Sequence, residues 1–190
     1  MSFRELLRKE FSPYRDLSPD QLRLLEDHFR LLTAWNARLN LTRIQGLEDT
    51  VIRHYCESLF LGSWIPGGAW RIADVGAGAG FPGIPVAILR PECSVTLVES
   101  HQRKAVFLRE AVRGLTNVSV ESARAEDLRM QFDWIVSRAV DPQEVAALTF
   151  AARKALLIGV EDSQKLGWES IKLPWGQERV VAFHVEQPGT

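Results

Sequence analysis

Cysteine is scarce in this chain: Cys56 and Cys93 stand alone among 190 residues. Two distant cysteines match no zinc or redox spacing, so neither a metal site nor a disulfide framework is expected to organise the fold. The same scarcity points to a reducing compartment, and the expected location is cytoplasmic. No apolar run approaches the ~20 residues of a bilayer span, so no membrane segment is expected. The opening Met1–Glu10 alternates charge with leucine and lacks the apolar core of a secretory signal. Net charge is only −1, which argues against a general polyanion binder and leaves room for a local basic face. Internal repeats and low-complexity tracts are absent. What is present, 46% hydrophobic and 25% charged residues, suffices for one globular unit with a proper core.

The first strong element is "SPDQLRLLEDHFRLLTAWNARLN". Ser18 reads as an N-cap, Pro19 as the first helical residue and Gln21 as the partner that completes a capping box. Leu22, Leu25, Phe29, Leu32, Trp35 and Leu39 recur at helical spacing and form an apolar stripe. A second helix is expected over Glu48–Trp64, before "IPGGAW" breaks the chain. Residues 1–65 thus read as an N-terminal helical subdomain capping residues 66–190. Beyond Trp70 the pattern alternates. Strands are expected at Arg71–Val75, Ser94–Glu99, Val118–Glu121, Trp134–Val136 and Ala155–Val160. Helices are expected at Ile84–Leu89, Gln102–Gly114 and Pro142–Lys154. Such alternation predicts an α/β fold: a doubly wound, mostly parallel, Rossmann-like sheet. Ser170–Leu173 and Val180–Val185 are separated only by "LPWGQE", too short for a crossover, and should close the chain as an antiparallel hairpin.

In doubly wound sheets ligands bind beyond the carboxyl ends of the strands. The stretch "WRIADVGAGAGFPGIPVAI" puts Gly76, Gly78 and Gly80 there. Bare backbone lets amides approach a ligand and lets φ turn positive. An ordinary strand-to-helix turn needs one such glycine, not three in alternation. Counted from Gly76, the dinucleotide fingerprint G-x-G-x-x-G meets Phe81 where glycine is required; counted from Gly78 it fits, so a nicotinamide dinucleotide stays open. There is no G-K-[ST], and no nucleoside triphosphate is expected. An acid followed by G-x-G-x-G suits S-adenosylmethionine, which brings no phosphate; Asp74 is placed to meet its ammonium group. Glu99, 23 residues after Gly76 at the end of the second strand, can accept both ribose hydroxyls of either nucleoside ligand. Ala125 and Glu126, past the third strand, should face the adenine. Pro82 and Pro85 are tolerated in a first helical turn, where they stiffen the loop and fix Phe81 beside the ligand. Between Ser100 and Leu115, Arg103, Lys104, Arg109 and Arg113 outnumber the single acid Glu110. On charge alone, such a run reads as one solvated helix face.

These residues resemble the bacterial small-subunit (16S) ribosomal RNA guanine-N7 methyltransferases, also called glucose-inhibited division protein B. The segments that carry the resemblance are "DVGAGAGFPGIP", "WNARLNLTRI" (35–44), "RHYCESL" (53–59), "TLVES" (96–100), "RKAVFLRE" (103–110), "SARAED" (122–127) and "VSRAV" (136–140). It covers roughly residues 20–155. The resemblance implies a Rossmann-like methyltransferase with an N-terminal helical part and S-adenosylmethionine as cofactor. It implies methyl transfer to N7 of one guanine in 16S rRNA, presented by naked RNA or by the small ribosomal subunit, and no metal. By position it implies cofactor contacts at Gly76, Phe81, Ala125, Glu126 and Arg138, and RNA contacts at Arg103, Lys104 and Arg124. Arg53, His54 and Asn40 join the RNA candidates; Asn40 could equally cap its helix, and His54 on its own reads as a hydrogen-bonded structural residue. Glu57 and Glu99 stand where the family usually or often has Asp. "LLIGVEDSQKLGW" departs from the family's Lys-Gly pair after the fifth strand, which motivates an alternative: an RNA- or ribosome-binding protein on a methyltransferase frame. A methyltransferase with another acceptor is a further alternative.

Guanine N7 has an exposed lone pair and no proton, so its methylation needs no general base. No catalytic role is therefore assigned to His28, His54, His101 or His184. The task is positioning. Arg138, after the fourth strand, is the expected positioning residue, as a donor to guanine O6 or phosphate rather than to the attacking nitrogen. A monomer is expected.

Overall fold

The computed structural model describes residues 1–44, 46–176 and 178–185. Helix α1 (Phe3–Phe11) opens the chain on a capping box between Ser2 and Glu5 and buries Phe3, Leu6, Leu7 and Phe11. No separate helix is expected there from the sequence, although Ser-x-x-Glu is itself a start signal. Helix α2 (Pro19–Leu39) begins as expected: Ser18 Oγ accepts from the Gln21 amide and Gln21 Oε1 accepts from the Ser18 amide. Gln21 Nε2 also donates to the Ile88 carbonyl 3.0 Å away, tying this start to a helix of the second half. The expected helix over Glu48–Trp64 is present but not uniform. It runs as α3 (Leu47–Thr50), one π-helical segment (Val51–Cys56) and α4 (Glu57–Trp64).

The strands are β1 (Arg71–Val75), β2 (Ser94–Val98), β3 (Val118–Glu121), β4 (Trp134–Arg138), β5 (Arg153–Gly159), β6 (Glu169–Lys172) and β7 (Arg179–Val185). They form one sheet in the order β3-β2-β1-β4-β5-β7-β6. The first five are mutually parallel; β7 runs antiparallel to β5, and β6 to β7. This is the expected doubly wound sheet with its closing hairpin. The order reverses between β1 and β4, the switch point where such sheets open a ligand crevice.

Successive strand residues point to opposite faces. Ile72, Leu97, Val136 and Leu157 join a core under α1 to α6, where α5 is Gly83–Leu89 and α6 is Gln102–Ala111. Ala73, Val75, Ile135 and Leu156 join a second core on the other face. The first core draws on both the helical residues before 66 and the sheet. At ~25 cal/mol per Å² of apolar surface, joining the helices to the sheet in this way is the dominant attraction between them.

Three helices of the second half differ from expectation. Helix α7 is only Pro142–Ala146, not Pro142–Lys154. Alanines at 146, 147, 151 and 152 favour a longer helix, but the Phe150 carbonyl accepts from Phe132 N at 2.8 Å and Arg153 already pairs with Trp134 in the sheet. Tertiary pairing overrides propensity there. Conversely, α8 (Val160–Leu166) is a helix where none is expected, ended by Gly167 in the left-handed conformation at φ 68°. Helix α6 ends at Ala111, three residues short of Gly114.

Candidate functional site

The loop after β1 carries positive φ at all three alternating glycines, Gly76 (72°), Gly78 (57°) and Gly80 (90°). Gly76 is the residue at which two cavities meet. One, of about 220 Å³, is lined by Val75, Gly76, Ser100, Arg124, Ala125 and Glu126 among others. The second, of about 480 Å³, is lined by Gly76, Gly78, Phe81, Glu99, Lys104 and Arg138, and by Thr42, Arg43 and His54 from the helical part. A Cβ on Gly76 would run into the Val140 side chain. The bare backbone is therefore what keeps the loop seated between the two spaces.

Glu99 is buried and faces the larger cavity; its Oε2 accepts from Gly78 N at 2.9 Å and its Oε1 from His101 N at 2.8 Å. A carboxylate oxygen has a second lone pair, so the group keeps acceptor capacity for a hydroxyl. Asp74 differs from the expectation. It is fully buried, lines neither cavity, and gives Oδ2 to the Gly83 amide at 2.7 Å; its Oδ1 has no partner. Residue 74 shares the Ile72 face of β1, which points under α5 rather than toward the crevice. Burial pushes its carboxyl up to about 7, against a smaller downward pull from the Gly83 hydrogen bond. Gly80 also lies off the cavities, packed against Ile84 and His28.

Phe81 is buried and clamped from the helical side. His54 stacks on it at 4.4 Å between ring centroids, and Tyr55 and His28 meet it edge-on at 5.0 and 5.1 Å. His28 Nε2 lies 3.0 Å from the Ala79 carbonyl, and Tyr55 Oη lies 3.0 Å from His28 Nδ1. A carbonyl only accepts, so Nε2 carries the proton and Nδ1 accepts from tyrosine. Burial lowers His28 to about 4, so the pair is neutral. Sequence reasoning assigns His28 and Tyr55 nothing; His28 simply sits on the buried face of α2. Thr42 and Arg43 are likewise missed, although both lie inside the segment that carries the resemblance.

Arg138, the last residue of β4, lines the larger cavity. Its Nη1 donates to the Arg53 carbonyl and to His54 Nδ1, each at 2.6 Å. Burial lowers its guanidinium to about 10, so it remains charged at neutral pH. Ala139, next in the chain, holds φ at 60°, a costly conformation for alanine. Buried Glu57 pairs with Arg179 of β7 at 2.9 Å; burial raises its carboxyl and Arg179 opposes the rise. Arg103 and Arg124 are exposed, and Lys104 is half-buried on the larger cavity. Arg53 is exposed and enters the site only through its carbonyl. Asn40 is exposed, caps α2 in the left-handed conformation and lines neither cavity. Among the described residues, no group of three or more His, Cys, Asp or Glu is arranged to hold a metal, and no helix is long and apolar enough to cross a membrane.

Sheet order, glycine loop and flanking acid define a class: doubly wound, Rossmann-like α/β proteins with a nucleoside crevice beyond the strand ends. Solved structures agree at the level of fold. A ribosomal protein L11 methylase from Lactobacillus delbrueckii superposes with a TM-score of 0.55 at 15% identity, covering 76% of this chain and 81% of that one. A SAM-dependent methyltransferase from Aquifex aeolicus gives 0.55 at 15%, covering 72% and 93%. The family described as rRNA small subunit methyltransferase G matches residues 21–155, and the chain belongs to it. Relatives of that name include one from Nitrosomonas europaea, 46% identical over 62% of this chain and 56% of its own length. Another, from Nitrosomonas eutropha, is 38% identical over 76% and 70%. The match spans little more than half the length of the relatives from Nitrosomonas europaea and Xylella fastidiosa, 56% and 55%.

Proposed function

We propose that this chain is an S-adenosylmethionine-dependent methyltransferase acting on N7 of a specific guanine in 16S rRNA, as a cytoplasmic monomer. The observation that carries the reading is the bare loop at Gly76 between two cavities, one bordered by Ala125 and Glu126, the other by Glu99, Phe81 and Arg138. The family gives the reaction; at this junction a nucleoside lies across Gly76, its base in the smaller cavity and its ribose at Glu99, and the acceptor enters the larger cavity beside Arg138. The residues fit the cofactor: Gly76 lines both cavities with bare backbone, and Glu99 retains acceptor capacity. When bound, S-adenosylmethionine supplies a methyl group activated on sulfonium. Glu99 is assigned to the ribose hydroxyls, Ala125 and Glu126 to the base, and Gly76 to close backbone approach. Phe81 walls the space against water. Asp74 is assigned to the loop rather than to the ligand.

Because N7 carries no proton, no residue is asked to act as a base, and both buried histidines are neutral and occupied. Arg138 positions the acceptor. Arg103, Lys104 and Arg124, with Arg43 of the larger cavity, supply cations for phosphate. The test is tritium transfer from methyl-labelled S-adenosylmethionine to small ribosomal subunits lacking the modification, with naked 16S RNA alongside. Label at guanine N7 is the expected outcome. Cofactor binding by calorimetry without transfer to either substrate would instead support a binding protein on a methyltransferase frame, or another acceptor.

A further inference from the structure

We propose that Thr42 and His54 are positioning residues: together they lock one neutral tautomer of the imidazole, so that its Nδ1 lone pair holds the Arg138 guanidinium at the mouth of the larger cavity. The role of Arg138 itself rests on the function proposed for the chain; the imidazole lock does not.

The geometry leaves one assignment of protons. Arginine has no acceptor, so at 2.6 Å from Arg138 Nη1 the ring nitrogen Nδ1 must be bare. Neutral imidazole then carries its proton on Nε2. Thr42 Oγ1 lies 2.7 Å from Nε2 and accepts it, while also accepting from the Ile44 amide at 3.1 Å. The hydroxyl is fixed in turn, because the Thr42 amide donates to Asn36 Oδ1 at 2.8 Å and its carbonyl accepts from Asn36 Nδ2 at 3.1 Å. The ring plane is set by Phe81, stacked within 5° of parallel. The chain of contacts therefore runs from α2 through Asn36, Thr42 and His54 to Arg138 on β4. It crosses from the helical part to the sheet at the site.

A proton on Nδ1 would set two donors against each other and release the guanidinium. Such a proton is opposed by burial first, then by the charge of Arg138, with Arg53 and Arg179 adding to the same effect. Nη1 of Arg138 serves both Arg53 and His54. The other guanidinium nitrogens are what a ligand in this cavity would meet. Ala139, just after it, holds φ at 60°, a costly conformation for alanine beside the guanidinium's own residue.

Two measurements test the lock on the full chain. The first needs no activity. In protein labelled with nitrogen-15 at histidine, two-bond correlation spectra report which ring nitrogen is protonated; the His54 signals are identified by their loss in His54→Asn. The expected result is an Nε2-protonated ring whose Nδ1 resonance moves in Arg138→Ala. An Nδ1-protonated ring, or an Nδ1 resonance indifferent to Arg138→Ala, overturns the proposal. The second reads methyl transfer. His54→Phe keeps a ring against Phe81 but removes the acceptor. His54→Asn loses the stack but can offer Oδ1 near the Nδ1 position. His54→Phe should lower kcat/KM about tenfold to a hundredfold, His54→Asn should recover much of it, and His54→Phe with Arg138→Ala should be no worse than Arg138→Ala alone. Equal loss in the Phe and Asn variants, or additive loss in the double variant, refutes it. No transfer by the wild-type chain would refute the proposed function while the spectra still decide the lock.

Discussion

Asp74→Asn separates a buried neutral acid from a buried carboxylate. In the folded chain the Asp74 carboxyl titrates at about 7, against 3.8 for the unconstrained group. The native state therefore keeps the proton over a range in which the unfolded state has lost it, so the contribution is full below 3.8 and is lost as pH rises to about 7. At ~1.36 kcal/mol per pH unit the whole interval amounts to about 4 kcal/mol, and the part between pH 5 and pH 8 to about 2.5 kcal/mol. Asparagine has no such dependence. It can keep the Gly83 hydrogen bond through its oxygen and adds a buried amide at the Oδ1 position, a pH-independent cost of about 1–3 kcal/mol. Urea unfolding followed by tryptophan fluorescence at pH 5, 6, 7 and 8 gives the difference between variant and wild type. That difference should rise in favour of Asp74→Asn by about 2.5 kcal/mol, or roughly 5–10 °C in Tm. A flat difference would show that Asp74 is ionised throughout, and the assignment of a neutral acid under α5 would be wrong.

Gly80→Ala would hold alanine at φ 90° and drive its Cβ into Ile84, a fully buried side chain; a loss of about 2–4 kcal/mol is expected in the same unfolding assay. Arg90 is buried with its guanidinium on the carbonyls of Gly62, Ile65 and Pro66. Arg90→Met strands these groups, and about 3–5 kcal/mol should be lost. Arg103→Ala with Lys104→Ala should weaken RNA binding and reduce the slope of log K against log salt by about 1.5, measured by filter binding at several salt concentrations. An unchanged slope would return both side chains to a solvated helix face.

Much of the fold is legible because its signals are local. The capping box at Ser18, the period of α2 and the alternation after Trp70 each repeat a backbone geometry over many residues. Helix α8 carries local signals too, with Glu161 and Asp162 in its first turn, Lys165 in its last and Gly167 beyond; in the sequence the stretch stands out only as a departure from the family pattern. The length of α7 is not local: it is decided by the partner that Phe150 finds in Phe132. The site divides in the same way. The glycine loop and Glu99 declare themselves by spacing. Asp74 does not, since its direction depends on which face of β1 it occupies. Thr42, Tyr55 and His28 act through partners 12, 27 and 51 residues away, and no spacing along the chain announces such pairs.

The wider winding between Val51 and Cys56 makes the length of this stretch as informative as its residues. A π turn accommodates one residue more than an α turn over the same rise. Deleting any one of the six would let the stretch rewind as one α turn, with α3 and α4 keeping their relative orientation and the residues inside the turn shifting around the axis. Arg53 and His54 lie inside the turn and Glu57 just after it, so the hydrogen bonds to Arg138 would be lost while the ion pair with Arg179 is kept. A homologue that aligns with a single-residue gap here should therefore be treated as having a differently built site, however closely its glycine loop agrees.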